Sequence, residues 1–451
     1  MKRLWVAPTL FLAAATVNAE PVDLQQAVAM AMEADPRIEE RVHLVEAARA
    51  LLQEAEGHMG WSLDSNSFVG IGPQADGNIF EGSECTEQRC ELRDDRYDLN
   101  NGFSPWFFVS VSLIKPLNTF GKVENYADAA KANIQIKNED VRLQRAGIIL
   151  EVKRAYHGYL AARDGRLLLD DVDRRLQRAA DLVQRWLDEG EGDAALSDLY
   201  ALQSGQALVQ KFRAQAAALE NVALAGLKVV TGVGMENELE VADRRLMPLP
   251  LPELTLAEAQ DRAMARRPEM KQLEAGLRAR RSLVEAKKSE VKPNLYTGVV
   301  GALSFTPGRK NLENPFIYDP LNERALTPVL GLQWNWSPGV ADARAAAARA
   351  ELNALISKST LARQGIPFQV AEQYYQVQGY HEAVERLEDA SRAARRWMVA
   401  SYTDFEAGLQ TADKVMFAFQ GYVVAATDYL QTTFEYNMKV AALENAMGVE
   451  P

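Results

Sequence analysis

An internal duplication is the feature that most constrains what this chain can fold into. The segment that starts at Asp23 matches the segment that starts at Thr255, and Pro36 aligns with Pro268 at an offset of 232 residues. Later matches occur at slightly smaller offsets, which indicates loops of unequal length between the matched segments. We therefore predict two copies of one unit, residues 20–246 and 255–451, joined by a Pro-rich linker at residues 247–254.

Both copies predict the same order of elements. Each begins with a helical segment that is interrupted before a proline, a residue that suits the first turn of a helix. Two short segments of alternating polarity follow, and then a long helical run that a Gly-bearing turn divides. Residues 122–188 contain no proline, and their apolar residues recur at spacings of three and four, as in helices packed into a coiled coil. Pro367 lies in the second long run and predicts a kink or a change of pitch there.

Four segments alternate with a period of two between apolar and small or polar residues, which predicts half-buried strands. Each has about ten residues, enough for a tilted strand to cross an outer membrane. They lie around residues 63–71, 107–114, 295–305 and 326–337. Three tryptophans near the strand ends are candidates for a membrane-interface belt: Trp106, Trp334 and Trp336. The alternative is an ordinary antiparallel sheet packed against helices.

The N-terminus predicts export from the cytoplasm. Lys2 and Arg3 precede an apolar stretch at residues 4–17, and small residues stand before a cleavage site after Ala19. This is the pattern of a secretory signal peptide at residues 1–19, the alternative being a cytosolic N-terminal helix. No cysteine follows the cleavage site, so we expect no lipid anchor. No later segment is long and apolar enough to predict a helical membrane span.

Few residues suggest chemistry. In an exported chain Cys85 and Cys90 predict a disulfide that closes a surface loop, and a metal site is the weaker alternative. Four scattered histidines and two cysteines offer no set of ligands for zinc, haem or an iron–sulfur cluster, so we expect no cofactor or metal. No catalytic arrangement or phosphate-binding glycine loop is found, so we do not expect an enzyme. The net charge of −12 argues against a nucleic-acid partner.

If the four strands span a membrane, one chain cannot complete the structure. In lipid every strand edge has to be paired, so a spanning sheet must close into a barrel. Known membrane barrels have at least about eight strands, more than this chain supplies. We therefore expect several chains to share one barrel.

A set of weak motifs lies in order along the two copies, and most of them occur in both. The residues are Ala31 and Pro36, Ala263 and Pro268, Lys115, Pro116, Leu117 and Gly121, Tyr156 and Tyr374, Leu227 and Gly232, and Leu443 and Gly448. The ordered duplication resembles the TolC-type outer-membrane efflux channels over nearly the whole chain that follows the signal peptide. The resemblance implies a mainly α fold with a small β part. Long antiparallel helical hairpins would form an α-barrel, and three chains would each give four strands to a shared twelve-stranded β-barrel.

The resemblance also implies a role for the two turns between the long helices. In that family the turns form a periplasmic tip that docks an adaptor protein and can constrict. The candidate residues are Gly192, Leu196, Ser197, Asp198, Tyr402, Gly408, Leu409, Thr411 and Asp413. Lys414 stands where some members place an aspartate of the constricting ring, which puts an acidic gate in doubt. The alternative is that these residues only cap helices.

The function implied by the resemblance is that of a passive exit duct. It would be a homotrimer in outer-membrane lipid, opened by a periplasmic adaptor (membrane fusion) protein and driven by an inner-membrane transporter. Within the same class, the outer component of type I protein secretion or of metal-ion export is an alternative. From another class, a soluble periplasmic coiled-coil adaptor or scaffold is the rival. The Trp- and Phe-bearing strands argue against it because exposed apolar sheet faces need lipid or a partner.

Overall fold

A computed structural model describes residues 21–74, 102–190, 195–309 and 318–449. The predicted signal peptide, Cys85, Cys90 and Gly192 lie outside these ranges and stay predictions. The helices are α1 (Leu24–Ala34), α2 (Pro36–Gly57), α3 (Lys122–Glu189), α4 (Leu196–Val230), α5 (Leu256–Arg266), α6 (Pro268–Ser289), α7 (Pro338–Glu406) and α8 (Ala412–Ala446). The strands are β1 (Ser62–Pro73), β2 (Phe103–Asn118), β3 (Asn294–Phe305) and β4 (Arg324–Gln333).

The two halves of the chain carry the same series of elements with matching lengths. Helices α1 and α5 have 11 residues each, α2 and α6 have 22, and α4 and α8 have 35. The long helices α3 and α7 have 68 and 69 residues. The predicted fold class, mainly α with a small β part, is confirmed.

A proline separates the first two helices of each copy. Asp23 and Thr255 cap α1 and α5, and each side chain accepts the backbone N–H of the residue three positions later. The side chain of that residue in turn accepts the N–H of the cap, which satisfies a second free donor at the start of the helix. Pro36 and Pro268 then begin α2 and α6. Proline suits this first position because the N–H it lacks would have no hydrogen-bond partner within the helix.

An arginine beside each of these prolines makes a matching pair of contacts. In the first copy, Arg37 donates to Asp35 and to Glu151, both at 2.7 Å. The arginine holds the pKa of the Asp35 carboxyl below its usual value. In the second copy an arginine occupies the position that aligns with Asp35, so the charges are exchanged while the contacts are kept. These contacts are Arg267 to Glu269 and Arg267 to Gln369, both at 2.9 Å.

Two glycines let the last helix of each copy end against the first. Gly232 and Gly448 have φ values of +71° and +67°, which suit glycine in the turn that follows a helix. A Cβ on Gly232 would stand 2.3 Å from the Cβ of Ala34, and one on Gly448 would stand 2.9 Å from the carbonyl carbon of Arg266. Ala34 and Arg266 are themselves 232 positions apart, so the same close approach is built twice.

The strands form one antiparallel sheet in the order β1-β2-β3-β4. The central pair, β2 and β3, comes from different copies, and its register runs from Phe107 opposite Phe305 to Asn118 opposite Leu295. The register shifts once, between Pro116 and Asn118. Within the described part of the chain, the outer edges of β1 and β4 have no strand beside them.

The chain divides into two compact units, and each takes aligned segments from both copies. One unit contains the described residues up to His43, Glu139–Lys271 and the residues from Thr360 onwards. The other contains Leu44–Asn138 and Gln272–Ser359, which include the sheet. The compact units therefore do not coincide with the two copies, whose boundaries stay a prediction.

In the first unit the long helices share an apolar core next to their turns. It joins the C-terminal parts of α3 and α7 to the N-terminal parts of α4 and α8. The ring of Trp186 packs edge-on against Phe405 at 5.4 Å, and the ring of Tyr402 packs against Phe419 at 6.2 Å. The fully buried members of this core include Val172, Leu176, Leu202, Met398 and Val415.

The Pro-rich linker is held by a buried amide. The side chain of Asn437, which is 0% exposed, donates to the carbonyl of Met247 and accepts the N–H of Leu249, both at 2.9 Å. Asp164 likewise accepts the N–H of Leu246 at 2.8 Å. Extended backbone has no internal hydrogen bonds, so these side chains take the place of a neighbouring strand.

Helix α7 continues through Pro367, whose carbonyl accepts a hydrogen bond from Gln260 at 3.1 Å. The predicted kink at this proline stays a prediction. None of the described helices combines the length and apolar character that a membrane span requires.

Candidate functional site

The sheet presents two different faces. Side chains alternate along each strand, and residues directly opposite each other share a face. One face exposes apolar side chains on all four strands, and the register places Phe107 between Val69 and Phe305. The same face also carries a few polar or charged side chains, namely Ser65, Ser67, Lys115, Thr297 and Arg324. The exposed large apolar side chains are Leu63, Val69, Ile71, Phe103, Phe107, Val109, Val111, Leu303, Phe305, Leu326, Leu330 and Leu332. A face of this kind requires lipid or a protein partner.

The opposite face carries small and polar side chains along most of its length. Asp64 is the only charged side chain on this face among the described strand residues. Three aromatic rings interrupt the polar surface at the end of the sheet where β1 ends and β2 begins. They are Phe68, Trp106 and Phe108.

The structure places Trp106, one of the three predicted belt residues, away from the apolar face, and its belt role stays a prediction. Its ring lies on the polar face, where Nε1 donates to the hydroxyl of Ser304 at 2.7 Å and the ring packs edge-on against Phe68 at 4.9 Å. Strand β2 begins at Phe103, so Trp106 lies inside the strand and its side chain opposes that of Phe107. Alternation alone did not show where the strand begins.

Trp334 and Trp336 lie just beyond the end of β4, and both are exposed. The Nε1 of Trp334 donates to the carbonyl of Val291 at 2.8 Å, which holds one ring at the helix-bearing end of the sheet. Trp61, directly before β1, is exposed at the same end and was missed by the sequence analysis. Its position immediately before an alternating segment was the available signal. The belt role of Trp334 and Trp336 stays a proposal.

The two open edges of the sheet follow one pattern. Ser304 and Glu323 exchange both backbone hydrogen bonds, at 2.8 and 3.1 Å, so the odd-numbered residues of β4 bond to β3. The even-numbered residues of β4 therefore point their backbone groups at the open edge. Beyond the end of β1, the N–H of Gln74 donates to the carbonyl of Gly102 at 2.8 Å, so the even-numbered residues of β1 bond to β2. The odd-numbered residues of β1 therefore point their backbone groups at the other open edge. In both strands these are the residues whose side chains lie on the apolar face.

Pro328 interrupts the open edge of β4. It is an even-numbered residue in an unbroken register, so its nitrogen faces the open edge. A proline has no N–H, and it is tolerated in a sheet where no neighbouring strand of the same chain needs that donor.

The turn between α7 and α8 is built on Gly408, whose φ is +73°. The N–H of Gly408 donates to the carbonyl of Phe405 at 2.9 Å, and the N–H of Leu409 donates to the carbonyl of Asp404 at 2.8 Å. This pair of bonds is the Schellman ending of a helix. Leu409 is left 77% exposed at the turn, and nothing lies within 4 Å of the place where a Cβ on Gly408 would be.

The turn between α3 and α4 is described on its two flanks. Gly190 has a φ of +68°, and α4 begins after Ala195, whose N–H donates to the carboxylate of Asp198 at 3.0 Å. Leu196 and Ser197 are exposed. Asp198 therefore serves as the acidic partner in the first turn of a helix, where a negative charge is favourable.

The remaining candidates at the second turn differ in exposure. Thr411 and Asp413 are exposed, and a hydrogen bond from Thr411 holds the pKa of the Asp413 carboxyl below its usual value. Lys414 is exposed beside them. Tyr402 is only 6% exposed and packs in the helical core, so its placement among surface docking residues is corrected. Aromatic residues near a turn do not reveal from sequence which of them point inward.

Comparisons with known proteins identify the fold. No protein-family model matches the sequence, and no curated protein is detectably similar to it. Solved structures do match. The outer-membrane channel OprN superposes with a TM-score of 0.74 at 17% identity, over 95% of this chain and 90% of that chain.

Two further channels match over almost their whole lengths. The Campylobacter jejuni outer membrane channel CmeC gives a TM-score of 0.74 at 12% identity, over 99% of this chain and 94% of that chain. The open state of the Neisseria gonorrhoeae outer membrane channel MtrE gives 0.70 at 16% identity, over 99% and 98%. The chain has the TolC-type fold. The predicted resemblance is confirmed at this level.

The duplication within this chain accounts for the pairing of the sites just described, because the helical turn and the pair of strands each occur twice. Among the residues that the structure describes, no three His, Cys, Asp or Glu side chains come together as a set that could hold a metal ion. The candidate sites described above are surfaces, namely the apolar sheet face, the two open edges and the two turns.

Proposed function

We propose that the protein is a passive exit duct of the outer membrane. Three chains would share one twelve-stranded barrel, which a periplasmic adaptor opens and an inner-membrane transporter drives. The observation that carries this proposal is a four-stranded sheet with two open edges and one exposed apolar face. Such a sheet has unpaired backbone groups that are costly in lipid until further strands join it.

The edges favour pairing of β4 with β1 of a neighbouring copy. The backbone groups on both edges belong to residues whose side chains lie on the apolar face. Antiparallel pairing of the two edges therefore continues the apolar face without a break, since directly opposed residues share a face. Because each chain supplies four strands, the same pattern of pairing repeats from copy to copy. Three copies make twelve strands, above the smallest known membrane barrels.

The turns supply the proposed contact with the adaptor. Leu196 and Leu409 are exposed apolar side chains beside the first and second turns, and Asp413 and Lys414 lie beside the second turn. Exposed leucines on such turns suit docking against the helical ends of a partner protein. An adaptor that binds here would act on the packing of the four helix ends and so on the width of the duct.

The channels that match are described as outer-membrane channels, and we extend that role to this chain. The rival function, a soluble periplasmic scaffold, leaves the exposed apolar sheet face in contact with water. The observation that disfavours it is the extent of that face, which runs over all four strands.

The experiment that tests the proposal measures mass and conductance on the same preparation. The full chain is expressed with its own N-terminus, extracted from outer membranes in detergent and examined by light scattering coupled to size exclusion. We expect a trimer that forms stable conducting pores in planar bilayers. A monomer without conductance would refute the duct, and recovery in the soluble periplasmic fraction would favour the scaffold.

A further inference from the structure

The three aromatic rings on the polar face form a shelf, which we define as Phe68, Trp106 and Phe108. The rings of Phe68 and Phe108 stack at 4.8 Å with an interplanar angle of 27°, and the ring of Trp106 lies 6.1 Å from that of Phe108. Phe68 is 41% exposed, so part of its ring is open to solvent. The other side chains of this face are small, polar or aliphatic except for Tyr296, which lies towards the opposite end of the sheet. Among the described strands the shelf is therefore the one cluster of packed rings on this face.

The shelf is held rigidly from below. The Nε1 of Trp106 donates to the hydroxyl of Ser304, which is 0% exposed and donates in turn to the carbonyl of Pro320 at 2.7 Å. A Cβ on Gly70 would stand 3.1 Å from the ring of Trp106, so the absence of a side chain at Gly70 leaves room for this ring to pack over β1. A ring that is fixed in advance loses little conformational freedom when a solute stacks on it.

The charge on this face has one sign. Asp64 lies on the same side of β1 as Phe68, and none of the described strand residues places a basic side chain there. The nearest arginine of the connection between β3 and β4, Arg309, forms a buried ion pair with Asp319 at 2.7 Å. Asp64 stands four positions from Phe68 along β1, about 13 Å at 3.3 Å per residue. A cation at the shelf therefore meets ring faces, with a carboxylate further along the same face and no fixed positive charge of the described strands to oppose it.

We propose that the shelf is a binding site for aromatic cations that pass through the duct. This inference rests on the proposed function, in which the polar face lines the lumen. The face of an aromatic ring attracts a cation, and an aryl group on that cation also stacks on the exposed ring. Three copies of the shelf would lie at one level of the lumen and slow such solutes relative to alkyl cations of similar size.

The test uses tetraphenylphosphonium as the probe and tetrabutylammonium as an alkyl control. Block of single-channel conductance is measured for the wild type and for the double variant Phe68→Leu with Phe108→Leu. Leucine keeps the surface apolar and removes the ring faces. We expect the variant to bind tetraphenylphosphonium about five- to tenfold more weakly, with tetrabutylammonium unchanged. Phe107→Leu, on the apolar face of the same strand, is the matched control and should leave both cations unaffected.

Equal block in the wild type and the double variant would overturn the shelf, as would equal block of the wild type by both cations. Binding of tetraphenylphosphonium to detergent-solubilised protein is measured in parallel by titration calorimetry. If the protein does not conduct but binds the probe in a Phe68- and Phe108-dependent way, the duct fails and the site stands. If neither conductance nor binding is seen, both proposals fail.

Discussion

At the residue scale, His157 is a buried group that the proposed transport does not use. It is 5% exposed, and neither ring nitrogen has a hydrogen-bond partner in the part of the chain that the structure describes. Burial, with a smaller contribution from Lys153, lowers the pKa of His157 to about 4, while Asp243 acts weakly in the other direction. The folded chain therefore holds the imidazole neutral at pH values where the unfolded chain would protonate it.

This depressed pKa predicts a loss of stability in mild acid. Because the pKa of histidine in the unfolded chain is about 6.5, His157 does not lower the free energy of unfolding above that pH. As the pH drops from 6.5 towards 4 the free energy of unfolding falls, by about 2 kcal/mol per chain at pH 5. His157→Phe removes the titrating group and no hydrogen bond, so its melting temperature should fall less between pH 7.5 and pH 5 than that of the wild type. Circular dichroism in detergent measures both. His58→Phe, at an exposed histidine, is the control and should show the same fall in melting temperature as the wild type. An unchanged pH dependence in His157→Phe would contradict the prediction.

At the element scale, the helix endings explain why glycines occupy the turns. Gly408 is required by its backbone conformation and not by crowding, because φ is +73° and the space for a Cβ is open. The same reasoning separates it from Gly165, which lies inside α3 with equally open space and no unusual φ. Replacement by alanine is therefore expected to lower the stability at Gly408 and to raise it at Gly165, although both glycines have open space around them.

Gly408→Ala should destabilise the protein by about 1 kcal/mol, because an L residue is strained at positive φ. Gly165→Ala should stabilise it by about 0.5–1 kcal/mol, because alanine favours a helix interior. Melting curves of the two variants give both values.

We also expect bulky replacements of Gly408 to impair export while trimers persist. Unchanged export by such a variant would remove the case for a functional turn.

Pro328 makes a prediction about the edge of β4. Pro328→Val restores one N–H on the edge that we propose to pair with β1 of a neighbour, and a net gain of about 0.5–1.5 kcal/mol per seam should follow. The resistance of the trimer to heat in SDS measures this gain. Thr327→Val is the matched control, because that N–H faces β3 and no hydrogen bond between chains is added. Equal resistance of the two variants would argue against the seam.

At the scale of the whole molecule, the two faces of the sheet decide how the protein enters a membrane. Val111 and Ser112 are neighbours on β2 whose side chains lie on opposite faces. Val111→Lys places a charge in lipid, at a cost of about 2–4 kcal/mol near the bilayer midplane, and should lower the amount of trimer in the outer membrane. Ser112→Lys places the same charge on the polar face and should be tolerated. Immunoblots of membrane fractions compare them, and equal losses would show that the face assignment is wrong.

The sequence by itself determined the elements and their order. Periodicity located the four strands and the long helices, and the aligned prolines marked the breaks before α2 and α6. These signals are local, since a helix or strand repeats its apolar residues at a spacing set by its own geometry. The repeat also paired Gly232 with Gly448, which end matching helices in the structure.

Only the tertiary structure decided which side chains of those elements meet. It placed Trp106 on Ser304 and Phe68 instead of on the apolar face, and Tyr402 in the core instead of on the turn. It also showed that Asn437 binds the linker and that the nitrogen of Pro328 faces an open edge. These facts depend on strand register and on contacts between residues far apart in the chain. A shift of one residue in register reverses the face of every side chain, and alternation in a sequence reads the same in either case.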